Sequence, residues 1–288
     1  MTDIFDRLAV WPQYLIPQQA LTRWAGSLAG LQGGALTTRL IAGFVRRYRV
    51  NMAEAADPDI KSYATFNDFF ARALRSGARP LASAALVCPV DGAISQLGRI
   101  AGQHLFQAKG HQYSSTALLG GDAALAGQFD DGYFATLYLS PCDYHRIHMP
   151  CDGRLTRMIY VPGDLFSVNP LTARAVPGLF ARNERVVCVF DTVHGPMVLV
   201  LVGATIVGSM ATVWHGVVNA PRPGKLCDWR YDGQTIRLRQ GDEMGRFLLG
   251  STVVVLLPQG RLPFNPQFNP SWQPGTSVRM GSAMLNAV

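Results

Sequence analysis

Hydrophobic positions recur with two different periods along this chain. Leu21, Trp24, Ala25, Leu28 and Leu31 follow i, i+3, i+4 spacing, and so do Leu36, Leu40, Ile41, Phe44, Val45 and Tyr48. This spacing predicts two amphipathic helices, parted by Gly33-Gly34. The second carries Arg39, Arg46, Arg47 and Arg49 on or beside its other face. A third helix is expected from Thr65, whose spacing to Asp68 fits a capping box, through Phe66, Phe69 and Phe70. Pro80 closes this region. Beyond it, short apolar or alternating runs recur between Gly, Pro and Asp turns: Phe134 to Leu139, Val186 to Phe190, Met197 to Val202, Ala204 to Val207 and Thr252 to Leu257. Asp131-Gly132, Asp152-Gly153, His194-Gly195-Pro196 and Asp232-Gly233 are the turn signals. No helices of 10–15 residues alternate with these strands, which argues against a doubly wound parallel sheet. The expected fold class is α+β, with a helical region over residues 1–78 and a β-rich, mainly antiparallel region over 79–288. The tail after Pro263 reads as an irregular, proline-rich wrap.

Composition narrows what such a chain does. Its 288 residues provide ample material for a core, and nearly half of them are hydrophobic. No run of about 18 apolar residues occurs, so no membrane-spanning helix is expected. The opening Met1–Asp6 lacks the basic-then-apolar plan of a signal peptide, which predicts a protein of the cytoplasm or its membrane face. Five cysteines without a CxxC predict reduced, mostly buried thiols rather than a disulfide framework or zinc site. The net charge of +7 favours polyanionic partners. Without a zinc-finger, RRM or KH signature or a dense basic block, nucleic acid is disfavoured against anionic lipid. A basic amphipathic helix with Trp and Phe on its apolar side either lies in a membrane interface or packs on a core. The periodicity leaves both open, and the proline-flanked Trp11–Pro17 stretch tilts toward the interface.

Four segments carry candidate chemistry. Leu249-Gly250-Ser251-Thr252 stands at the mouth of an apolar run. There a serine hydroxyl can turn back onto the preceding glycine carbonyl, because glycine tolerates the required backbone. Pro89-Val90-Asp91-Gly92 offers a carboxylate in a turn. Ser140 to Pro150 holds His145 and His148, and Ser140 with Pro141 and Asp143 predicts a short helical turn beneath them. Val161 to Asn169 adds Ser167 and Asn169. No second His, Cys or Glu pair has matching metal spacing, so no metal is expected. Two histidines in a proline-bracketed turn, with an Asp and a Ser elsewhere, suit acid–base work.

Together these segments resemble the phosphatidylserine decarboxylase family. The matching motifs are LGST at 249–252, SPxDYHRxHxP at 140–150, PVDG at 89–92 and VPGxLFSVN at 161–169, supported by FNDFFAR at 66–72 and by Val202-Gly203-Ala204 through Val207-Gly208-Ser209. The resemblance implies autocatalytic cleavage between Gly250 and Ser251, with Ser251 becoming a pyruvoyl group. It implies that Asp91, His148 and Ser251 act together in that step: His148 takes the serine proton and Asp91 orients the imidazole. The ketone then serves as electron sink, through a Schiff base with the substrate amine, for converting phosphatidylserine to phosphatidylethanolamine and CO2. His145 is the implied general acid, on the ground that an imidazole titrates near neutrality. Ser167 and Asn169 are candidate head-group contacts or turn stabilisers. The implied partners are a phospholipid surface, reached by a peripheral attachment at the cytoplasmic face of the cell membrane, and a second processed copy in a homodimer. The long and short chains are expected to stay associated.

Two other readings keep some of these residues. An Asp-His-Ser hydrolase would use Asp91, His148 and Ser251 without cleavage, although the G-x-S-x-G elbow is missing. A non-catalytic membrane-binding β module would leave Ser251 uncut.

Overall fold

The computed structural model describes residue 6 and residues 8–205, 209–219, 222, 224–248, 251–260 and 268–286. Helices come first. After the short α1 (Pro12–Leu15), α2 spans Gln18–Ala29 and α3 spans Ala35–Tyr48. Helix α2 stops short of Leu31 because the chain turns at Gly30, whose N–H takes up the final carbonyls. Helix α4 (Phe66–Phe70) begins with the reciprocal capping box of Thr65 and Asp68. Phe44 of α3 packs against Phe66, Phe69 and Phe70 of α4 in an aromatic cluster, with Ile41 and Val50 buried beside it. Much of the predicted apolar faces of α2 and α3 is nonetheless uncovered. Trp24, Leu28, Leu36 and Leu40 face outward, and small residues such as Thr22, Ala29 and Thr37 face inward.

From Ala84 onward strands dominate. The strands that build the site are β1 (Gly92–Arg99), β2 (Tyr133–Leu139), β3 (Arg146–His148), β4 (Gly153–Val161), β5 (Arg185–Thr192), β6 (Gly195–Val202), β7 (Met210–Thr212), β8 (Cys227–Arg230), β9 (Glu243–Phe247), β10 (Ser251–Leu257) and β11 (Ser277–Val278). The main sheet runs β8-β4-β5-β6-β10-β2-β1-β11, every pair antiparallel, so the α+β reading holds. A smaller antiparallel sheet places β9 between β7 and β3. The predicted strand over Ala204 to Val207 is not seen where the chain is described. Ala204 and Thr205 lie in a turn after β6, and Ile206 and Val207 fall outside the described residues. The tail over 261–267 also falls outside them.

Two cores explain why the strands read as near-continuous apolar runs. Successive side chains of a strand point to opposite faces. Val253, Val255 and Leu257 of β10 join Leu137, Leu139, Leu199 and Leu201 in a core shared with Ile147, Met210, Met244 and Phe247 of the smaller sheet. Val254 and Leu256 face the other way, with Phe134, Val198 and Val200, toward Leu118, Phe129, Phe166 and Phe180. Strand β10 is thus covered on both faces and hydrogen-bonded along both edges. That leaves no position for a polar alternation.

Candidate active site

The register of the main sheet brings the motifs together. Val161 pairs with Arg185, Arg185 with Val202, Val202 with Thr252, Thr252 with Tyr138, Tyr138 with Ala93 and Ala93 with Ser277. This is one row across the sheet, close to a single end of it. At that end β4 runs out into Pro162–Asn169, β6 into Gly203, and β2 into Ser140–Pro150. At the same end β1 is entered from Pro89-Val90-Asp91, and β10 begins at Ser251, opposite Leu139. Five segments scattered through the sequence therefore meet along one edge. Gly92 is required there, because a Cβ would lie 2.3 Å from the Tyr138 carbonyl oxygen. Gly163 is similarly enclosed, with the Arg182 carbonyl oxygen 2.3 Å from where its Cβ would be.

The smaller sheet delivers the histidines. Strand β3 lies beside β9, so the chain that leads toward Ser251 runs hydrogen-bonded to the His145–His148 segment. The Phe247 N–H donates to the His145 carbonyl at 3.0 Å, and the His148 N–H donates to the Pro89 carbonyl at 2.9 Å. The helical turn expected beneath the histidines is instead a tight turn. The Asp143 N–H donates to the Ser140 carbonyl, and the Asp143 carboxylate accepts from the Ser140 N–H at 2.6 Å. The chain then extends because β9 offers an edge to pair with, which outweighs local helix preference. A three-residue separation along extended chain sends the two rings to opposite faces, whereas a helix would put them on one.

The two rings differ in environment. His148 Nδ1 lies 2.7 Å from the Gly241 carbonyl, which can only accept, so Nδ1 carries the proton and Nε2 is the lone-pair nitrogen. The Tyr144 hydroxyl donates to Nε2 at 3.0 Å. Burial lowers the His148 pKa, and the Gly241 hydrogen bond and the charges of Glu243 and Asp91 oppose that shift. His145 is completely buried, against the Phe70 ring at 4.1 Å. Its Nδ1–H donates to the Asp143 carbonyl at 2.8 Å, and its Nε2 has no hydrogen-bond partner. Burial pushes its pKa down to about 3, so the ring is neutral at physiological pH. The expectation of an imidazole titrating near neutrality does not hold at this position, because the charged form has lost its water.

Asp91 is placed differently from the sequence-based expectation. Its carboxylate accepts from Arg79 Nε at 2.9 and 3.1 Å, from Arg79 Nη2 at 2.5 Å and from the Met280 N–H at 2.9 Å. Arg79 also bridges to Glu54 at 2.7 Å. The orienting contact on His148 is made by the Gly241 carbonyl rather than by Asp91, which reaches His148 only through its field. A bidentate guanidinium is the stronger partner for a carboxylate. Asn169 caps the helix that follows it (α5, Pro170–Ala175), its side-chain oxygen accepting from the Thr172 N–H at 2.9 Å and the Thr172 hydroxyl at 3.1 Å. Ser167 is held through its N–H to Gln13 at 2.9 Å. The Asn169 N–H in turn lies 3.4 Å from the Ser167 hydroxyl, so both side chains have local partners beside the site.

A cavity of 730 Å³ opens at this end of the sheet. Asp91, Gly92, Tyr138, Ser140, Asp143 and Tyr144 form its wall, and Arg49, Arg72, Arg79, Arg174 and Arg279 bring positive charge to it. Tyr138 and Ser140 flank Leu139, the backbone partner of Ser251, so the first residue of β10 adjoins the cavity. Gly250 lies outside the described residues, and the Ser251 side chain is not described. Sequence reasoning missed Arg79, Glu54 and Gly241, none of which carries a local signal. Tyr144 and Arg72 stand inside quoted motifs, and only the fold shows that Tyr144 bonds to His148 and that Arg72 lines the cavity.

Comparison with known proteins agrees with this arrangement. Residues 66–286 match the family model described as phosphatidylserine decarboxylase, and residues 8–49 match one described as PSD. The chain is 73% identical over 281 residues to a phosphatidylserine decarboxylase proenzyme of Albidiferax ferrireducens, covering 98% of both chains. It is 70% identical over 284 residues to the protein of that name from Polaromonas naphthalenivorans, covering 98% of this chain and 97% of the other. The one from Dechloromonas aromatica is 68% identical over 279 residues, covering 97% of this chain and 98% of the other.

Proposed function

This chain belongs to the phosphatidylserine decarboxylase family, and we propose that it cuts itself before Ser251 and then converts phosphatidylserine to phosphatidylethanolamine and CO2. The observation that carries this reading is the convergence of five motif segments on the start of β10, beside a basic cavity. In the first reaction His148 Nε2 takes the Ser251 hydroxyl proton, and the oxygen attacks the Gly250 carbonyl. The peptide bond to the Ser251 nitrogen breaks and an ester forms. Loss of the Ser251 α-proton expels the Gly250 carboxylate. The resulting dehydroalanine tautomerises, and water replaces its nitrogen, which leaves as ammonia. Asp91, fixed by Arg79, contributes negative charge that favours the imidazolium.

The residues around β10 fit a pyruvoyl group at position 251, since its neighbours in the sheet line the cavity. When present, such a group supplies the electron sink that no amino acid side chain offers. His145 then works from its neutral form. Its proposed general-acid role rests on its motif position and its unpartnered Nε2, since the ring is fully buried and does not line the cavity. Among the described residues no helix is long and apolar enough to cross a membrane. The outward apolar residues of α1–α3 and the neighbouring arginines support peripheral attachment to the cytoplasmic face of the cell membrane. A homodimer of processed units accompanies this reading; a monomer by sedimentation would remove it.

Intact mass spectrometry with CO2 release from phosphatidylserine vesicles tests the reading. The wild type is expected as two chains, the shorter one starting at residue 251 and lighter by one ammonia than its sequence. Ser251→Ala and His148→Ala are expected as single chains. His145→Ala is expected to cut but to lose about 10²-fold or more of its decarboxylation, the usual loss for a general acid–base. An active wild type of one unmodified chain would instead favour the hydrolase.

A further inference from the structure

Among the described residues two arginines, Arg72 and Arg185, are buried, and they are treated in opposite ways. Arg185 is 3% exposed, and each of its nitrogens donates to a carbonyl: Nε to Leu118 at 2.6 Å, Nη1 to Asn183 at 2.8 Å and Nη2 to Ala117 at 2.6 Å. Arg72, at the end of the Phe66–Arg72 segment, is 5% exposed and lines the cavity. Its Nη1 reaches the Phe69 carbonyl only at 3.4 Å, and its Nε is buried with no hydrogen-bond partner. The guanidinium lies 5.2 Å over the Phe69 ring.

Carboxylates near Arg72 are committed elsewhere. Asp91 is held by Arg79 and the Met280 N–H, and Asp143 accepts from the Ser140 N–H. Both act on Arg72 through space only. The other cavity arginines are engaged or open to water. Arg79 is bound to Asp91 and Glu54, Arg174 pairs with Asp6 at 3.2 Å, Arg279 is mostly exposed, and Arg49 is exposed at the end of α3. A buried cation without a counter-ion is unfavourable unless something arrives to pair with it. A guanidinium that lines a cavity with its Nε unpartnered presents a planar group suited to an oxyanion.

We propose that Arg72 is the anion site of this cavity and that it binds the phosphodiester of the substrate head group. This rests on the lipid decarboxylase reading. The head group carries two anions, a phosphodiester and a carboxylate, and their chemistry separates them. The carboxylate loses its charge as CO2 leaves, so a cation fixed on it would stabilise the ground state more than the transition state. The phosphodiester keeps its charge throughout, and holding it positions the reacting end without opposing the chemistry.

Binding is measured by calorimetry on the processed protein and on the uncut Ser251→Ala chain, each with Arg72 intact, Arg72→Gln or Arg72→Lys. The probes are glycerophosphocholine, which has the phosphodiester but neither carboxylate nor a condensable amine, and N-acetylserine, which has only the carboxylate. Arg72→Gln is expected to weaken glycerophosphocholine about tenfold or more, as loss of a charged hydrogen bond does. Arg72→Lys should fall between, and N-acetylserine should not respond. In turnover, KM should rise with kcat nearly unchanged. A loss of N-acetylserine binding with glycerophosphocholine unaffected would assign the carboxylate instead and overturn the proposal. Equal binding of both probes in all three proteins would make Arg72 purely structural. If Arg72→Gln does not fold, Arg72→Lys carries the comparison, and wild-type affinity in it for glycerophosphocholine would count against the fork. Cleavage and the mass of the short chain report on the decarboxylase reading independently of Arg72.

Discussion

His145 illustrates how one position is governed by its surroundings. Its ring is sealed between Phe70 and the Asp143 carbonyl, and its pKa falls from the ordinary 6.5 to about 3. The folded chain thus binds the proton more weakly than the unfolded chain does. The stability His145 contributes is fully present above pH 6.5 and is lost progressively as the pH falls toward 3. Within that window the loss is on the order of 1 kcal/mol per pH unit for one such group. Denaturant unfolding at pH 6.5 and 5.5, in the uncut Ser251→Ala background, should therefore show a steeper loss for the parent than for a further His145→Gln change. Equal slopes would mean that the ring is hydrated and titrates normally.

Backbone approach, more than propensity, decides where strands and helices tolerate change. Gly92 starts β1 where an added Cβ would meet the Tyr138 carbonyl oxygen, whereas Gly43 in the middle of α3 has open space around it. Gly43→Ala should raise stability by about 0.5–1 kcal/mol, since glycine weakens a helix interior. Gly92→Ala should cost about 1–3 kcal/mol or more, because the β1–β2 pairing must shift to admit the methyl group. Thermal melts compare them, and self-cleavage should slow in Gly92→Ala alone. Similar melts for both variants would show that the edge carrying Asp91 is compliant. The pairing of β3 with β9 belongs here too. It converts an expected helical turn into extended chain and so separates the two histidine rings.

Considered as a body, the molecule joins an outward-facing apolar helical front to the end of the main sheet where the motifs meet. Trp11 is 59%, Trp24 64% and Leu36 63% exposed, unusual values for large apolar side chains on successive helices. Gln13 and Gln18 tie this front to the Val161–Asn169 segment through the Ser167 and Leu165 N–H groups. Replacing Trp24 and Leu28 together by Glu should cut binding to vesicles containing phosphatidylserine by about tenfold or more in flotation, with self-cleavage unchanged. Raising salt should weaken the wild type as well, by screening the arginines. Unaltered binding would place the lipid contact elsewhere. The proposed cleavage before Ser251 would leave β10 hydrogen-bonded between β6 and β2, which would hold the two chains together.

The order of elements and the family were legible in the residues alone. Periodicity located α2, α3 and the buried strands, because side-chain spacing reports which face is covered. Short motifs named Asp91, His145, His148 and Ser251, because their chemistry depends on residue type and local order. Which face of α2 and α3 would be buried was not legible, since an apolar stripe looks the same against a core as against lipid. Nor were Arg79 on Asp91, Gly241 on His148 or the open guanidinium of Arg72. Those contacts join residues far apart in the chain, and sheet register with burial decides them, setting both the distances and the loss of water that fix charge and tautomer.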